Sequence, residues 1–103
     1  MLTLSTIVEV YKLRHGLKDD KAVAAKLGIS TSTLSNYKSG VRRFPDRLIV
    51  ELAEGTELNT SEVLAAVHLN WKNTDEVDRP FWLQRASDAK NIVFSASNAV
   101  RNL

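Results

Sequence analysis

Between Thr31 and Lys38 the chain sets six small polar or cationic side chains, Thr31, Ser32, Thr33, Ser35, Asn36 and Lys38, around only two apolar ones, Leu34 and Tyr37. Hydroxyls both donate and accept hydrogen bonds. The Asn36 amide does so from a fixed plane, and Lys38 adds positive charge. A short helix with so few apolar anchors contributes little to a core. Its chemistry suits an outward surface that makes directional polar contacts.

The elements that must position this surface are legible on both sides. Val23, Ala24 and Leu27 make an apolar face at helical spacing, and Gly28 follows as a C-cap signal. Ile29 is one further apolar residue, and Ser30 is a good N-cap for the polar helix, which Gly40 closes. Ala24 stands where two helices would cross closely, so a larger side chain there would force them apart.

In this order, Ala24, Leu27-Gly28-Ile29, Leu34 and Gly40 resemble the helix-turn-helix of the Cro/C1 (lambda-repressor-like) family of small bacterial and phage regulators. RRFPDRLIVELAE resembles that family's fourth helix, entered through a basic loop and a proline. The likeness extends over roughly Leu4 to Leu69, about two-thirds of the chain by the usual five-helix extent of such domains. It implies an all-α, five-helix DNA-binding domain over residues 1–70, with a C-terminal helical extension over 71–103 for dimerisation or packing.

The resemblance also implies roles. The helix Ser30–Ser39 would enter the major groove, with Thr31, Ser32, Ser35 and Asn36 at base edges. The Asn36 amide matches adenine at N6 and N7, and the threonine methyls can meet thymine. Lys21, Thr33, Lys38, Arg42 and Arg43 would contact phosphate, with Lys18 extending the track and helix N-termini adding backbone donors. Arg42 or Arg43 could instead pair with Asp46. Family members often carry a glutamine at the start of the second helix, where it bridges a phosphate and the reading helix. Asp20 occupies that place here. A carboxylate cannot donate, so Asp20 is expected to cap its own helix and is left out of the site.

The rest of the chain reads as further helices. Leu4, Ile7, Val8 and Tyr11 recur at helical spacing, predicting a helix from Thr3 to His15, N-capped at Thr3 with a Leu2–Ile7 staple and ended by Gly16. Asp19 or Asp20 caps the second helix. Val41-Arg42-Arg43-Phe44 is a loop. Pro45-Asp46 starts a fourth helix, with Leu48, Ile49, Leu52 and Ala53 buried and Gly55 as its stop. Asn59 and Glu62 have capping-box spacing, with a Leu58–Val63 staple, and predict a fifth helix to about Asn70. Beyond it, a helix starts either at Asn73-Thr74-Asp75-Glu76 or afresh with Asp78 as N-cap and Pro80 in the first turn. Ala89, Ile92, Val93, Ala96, Val100 and Leu103 repeat with helical period near the end.

Composition sets bounds. The 103 residues are 44% hydrophobic and 25% charged, those of an ordinary globule with one modest core. There is no Cys, hence no disulfide framework or thiolate metal site. No apolar run is of membrane-spanning length, and the first residues are too polar for a signal segment, so the cytoplasm is the default. Net charge is only +2, yet Lys12 to Arg47 holds nine basic residues against three acidic, while from Ser61 onward five balance five. The positive field is gathered around the polar helix, where phosphates would need it.

His15 and His68 stand alone, with no ligand spacing, so no metal or other cofactor is expected. No phosphate loop or nucleophile elbow gives catalysis a foothold. The leading expectation is a sequence-specific double-stranded DNA-binding regulator, a repressor of the phage or prophage type. It would act as a homodimer, since one short helix reads few bases. Trp71, Phe81, Trp82, Ile92 and Val93 are the candidates for the dimer seam, packing on their own domain being the alternative for the aromatics. A competing use of the same fold is a protein-binding module, such as an antitoxin or anti-repressor, with its partner on Trp71–Leu83.

Overall fold

A computed structural model describes residues 1–86. Five helices follow in order: α1 (Leu4–Arg14), α2 (Asp20–Leu27), α3 (Thr31–Ser39), α4 (Asp46–Thr56) and α5 (Thr60–Asn70). A sixth, α6, occupies residues 79–86, up to the last described position. The described chain is all-α, as expected; the Ala89–Leu103 pattern, with Ile92 and Val93, lies outside the described residues. No helix among the described residues is long and apolar enough to cross a membrane.

Helices α1, α4 and α5 pack on one another, and α2 packs with α3. One apolar cluster joins them: Leu4, Ile7, Val8 and Tyr11 from α1, Val23, Ala24 and Leu27 from α2, Leu34 from α3, Leu48, Ile49, Leu52 and Ala53 from α4, and Val63, Ala66 and Val67 from α5. Each larger aliphatic side chain so buried contributes about 1.5–3 kcal/mol. The stripes anticipated from periodicity are therefore the buried ones. Phe44, which the pattern left in a loop, is fully buried and packs on Tyr37 with ring centroids 4.6 Å apart and planes tilted by 37°, so it anchors the connection between α3 and α4.

The caps are made by single residues. Thr3, Asp19, Ser30 and Asn59 precede α1, α2, α3 and α5 in extended conformation, each side chain accepting a backbone N–H of the following turn. Asp20 does not cap α2, contrary to expectation. Asp19 holds that place, its Oδ1 2.9 Å from the Ala22 nitrogen, which leaves Asp20 as the first helical residue with its side chain free to reach elsewhere.

Two other expectations fail. Gly55 does not stop α4; the helix continues to Thr56, and Glu57 takes the left-handed cap position at φ 60°. A Cβ on Gly55 would lie 2.5 Å from Tyr11 Cε2 and 2.9 Å from His15 Nε2. Glycine is there so that α1 can approach α4, and its carbonyl oxygen is 3.2 Å from His15 Nε2. Glu62 does not return to Asn59 as the second half of a capping box. It is only 3% exposed, with Oε2 lacking a hydrogen-bond partner among the described residues. Burial pushes its carboxyl above the ordinary range, opposed by the amino terminus. Between α5 and α6 the fresh start is the one observed: α6 begins at residue 79, Pro80 lies in its first turn, and the Trp82 N–H bonds to the Asp78 carbonyl over 3.1 Å.

Candidate nucleic-acid interface

Helix α3 is built from residues that do not favour helix. Four of its first five residues are Thr or Ser at helical positions costing about 0.5 kcal/mol each relative to Ala, so its geometry must be imposed from outside. Four constraints impose it. The Ser30 hydroxyl accepts the Thr33 N–H at 3.1 Å and donates to Thr33 Oγ1 at 2.8 Å. Leu34 is buried at 1% exposure, and Tyr37 is half-buried against Phe44. Gly40 closes the helix at φ 84°. From the far end of α5, the Asn70 side-chain amide donates to the Tyr37 and Lys38 carbonyls over 3.1 and 3.2 Å.

That last clasp was not visible in the sequence, where Asn70 is only a helix boundary. It adds a donor to two carbonyls of the last turn, of which Tyr37's also accepts the Gly40 N–H at 3.2 Å. The Lys72 N–H adds a 2.9 Å bond to the Gly40 carbonyl, and a Cβ on Gly40 would collide with the Asn70 carbonyl oxygen. Gly40 therefore serves twice, for its left-handed backbone and for its absent side chain.

The surface so positioned is open. Thr31, Ser32 and Ser35 are exposed, and Asn36 is half-buried. Thr33 is half-buried, its hydroxyl engaged with the Ser30 cap. The Arg42 N–H bonds to the Asn36 carbonyl over 3.2 Å, which folds the basic loop against the last turn of α3.

The cations differ in their freedom. Lys21 and Arg42 are exposed and enter no ion pair among the described residues. Lys38 is tied to Asp20, Nζ to Oδ2, at 2.7 Å, and Lys12 reaches the other oxygen of the same carboxylate at 3.1 Å. The bonded Lys38 ammonium, seconded by Lys12, holds the Asp20 carboxyl below the ordinary range against the opposing effect of burial. Arg43 pairs with Asp46 at 3.4 Å, one of the two alternatives open from the sequence, and its Nη1 also lies 3.4 Å from His68 Nε2.

The aromatic residues beyond α5 gather around His68. Trp82 stacks on it with ring centroids 4.0 Å apart and planes 8° from parallel, and Trp71 meets it edge-on at 6.3 Å. The Thr74 hydroxyl donates to the His68 carbonyl. Burial, and then the neighbouring Arg43 guanidinium, lower the His68 pKa. Both tryptophans thus pack on their own domain. Phe81 stays 49% exposed, edge-on to Trp82 and under the Arg85 guanidinium at 4.8 Å.

Neither the curated proteins nor the solved structures compared with the chain give a match. A family model does: the helix-turn-helix model matches residues 8–63, a span that begins in α1, contains α2, the turn and α3 whole, and ends in α5. With an exposed polar helix, a capped turn before it and free cations at its margins, the chain belongs to the Cro/C1-type helix-turn-helix family of DNA-binding regulators.

Proposed function

We propose that this protein is a sequence-specific repressor that binds a double-stranded operator as a homodimer and lays α3 in the major groove. The observation that carries this reading is the exposed Thr31–Ser32–Ser35 face, clamped at both ends of its helix, with exposed Arg42 in the loop tied to its last turn and exposed Lys21 in α2. Thr31, Ser32, Ser35 and Asn36 read base edges; Asn36 selects adenine, and the hydroxyls discriminate less. Lys21 and Arg42 supply the main phosphate grip, with Thr33 and Arg43 on the same margins. With no Arg or Gln on the reading face, direct selection of guanine is modest.

Pairing of protomers through the extension, with Phe81 as its exposed aromatic, doubles the bases read and matches a two-fold operator. Occupying that operator excludes polymerase or another factor. Selection from a random duplex pool tests the reading. A two-fold motif is expected, and Asn36→Ala relaxes one position in it at a cost of about 1–3 kcal/mol. Arg42→Ala and Lys21→Ala each flatten the dependence of log affinity on log salt by about 1.8 for the dimer, about 0.9 for each protomer's lost contact. A pool that returns no motif, with slopes unchanged in both variants, would favour the protein-binding module instead.

A further inference from the structure

Two lysines of the helix-turn-helix are in different states. Lys21 is exposed and unpaired among the described residues, whereas Lys38, in the last turn of α3, is bonded to Asp20 at 2.7 Å. The pair is partly sheltered, its side chains 31% and 39% exposed, which weakens solvent screening relative to an open surface pair. Asp20 is held from a second side by Lys12, itself 3.0 Å from Glu9, so the carboxylate has little freedom to swing away. A phosphate approaching Lys38 must displace this carboxylate or accept its repulsion.

We propose that Asp20 withholds Lys38 from duplex DNA, acting as an electrostatic brake on the affinity of the reading helix. This rests on the DNA-binding reading above. Sequence-independent affinity is set by how many phosphates the protein neutralises with its cations. The chain therefore carries one phosphate contact that its own carboxylate suppresses. Its grip on unspecific duplex is weaker than the number of basic residues near α3 implies.

The test uses the full chain and a short mixed-sequence duplex, with affinity followed across a salt series. Asp20→Asn keeps the side chain's shape and removes its charge. It should raise affinity at about 50 mM salt by roughly three- to tenfold and steepen the log–log salt slope by about 0.9 for each protomer bound, so the gain shrinks about 3.5-fold per protomer by about 200 mM. Adding Lys38→Gln should abolish the gain and restore the wild-type slope. Asp20→Ser serves the same purpose if the asparagine variant does not fold. An unchanged slope in the single variant, or a gain that survives in the double variant, overturns the brake while leaving the DNA-binding reading intact. Absence of duplex binding by wild type and variants alike overturns both.

Discussion

Gly28 and Gly40 end consecutive helices in the same left-handed conformation, φ 74° and 84°, but their surroundings differ. A Cβ at Gly28 meets no atom within 4 Å, whereas at Gly40 it strikes the backbone carbonyl of Asn70. Alanine at either site incurs the left-handed penalty of about 1–2 kcal/mol, offset in part by about 0.4–1 kcal/mol from a less flexible unfolded chain. Gly28→Ala should therefore cost about 1 kcal/mol, lowering Tm by about 4–8 °C. Gly40→Ala must also push the end of α5 away from α3. That displaces the Asn70 amide from Tyr37 and Lys38 and strains the Lys72–Gly40 bond. At about 0.5–1.5 kcal/mol for each of these three bonds, the extra loss is about 2–4 kcal/mol. The total is a large share of the roughly 5–15 kcal/mol that holds a domain together. Urea titrations of both variants, compared at equal m-value, measure the difference directly. Asn70→Ala should lose about 1–3 kcal/mol in the wild type but much less in the Gly40→Ala background. Equal losses for the two glycine variants, or full additivity with Asn70→Ala, would refute the clasp between α5 and α3.

Two further outcomes are expected. Gly55→Ala would gain about 1 kcal/mol from helix propensity alone, but its methyl overlaps the buried Tyr11 ring, and overpacking of about 1–3 kcal/mol should win. A raised Tm would show slack between α1 and α4. His68 has a lowered pKa, and its Nε2 must be unprotonated to accept from Arg43, so its contribution to stability is present above its ordinary value of 6.5 and is lost as pH falls through the lowered one. His68→Gln should therefore flatten the acid side of the Tm profile, and Trp82 fluorescence should report unstacking in the wild type over that range. A profile identical in both chains would remove His68 as the cause.

The parts of the fold legible in the sequence are those decided by one residue and its near neighbours. Thr3, Ser30 and Asn59 announce helix starts because a short oxygen-bearing side chain before an apolar stripe has one good local use. The stripes themselves follow from the 3.6-residue period. What escaped depends on contacts across the chain. Gly55 resembles a stop until Tyr11 and His15 are seen against it. Asp19 and Asp20 are equivalent caps on paper, and only the positions of Lys12 and Lys38 separate them. In the candidate interface, Thr31, Ser32 and Ser35 were readable as an outward face, but the roles of Phe44 and Asn70 were not. An aromatic in a basic loop and an amide at a helix boundary carry no periodic signal.

The bond between Lys72 and Gly40 has a mechanical meaning. The chain between α5 and α6 turns beside the C-terminal end of α3, so that helix end is linked to whatever holds α6, including the Trp82 stack on His68. Prying α6 away would pull on the end of α3 through the Lys72–Gly40 bond and the Asn70 amide. A load on α6 is thereby shared with the exposed polar helix.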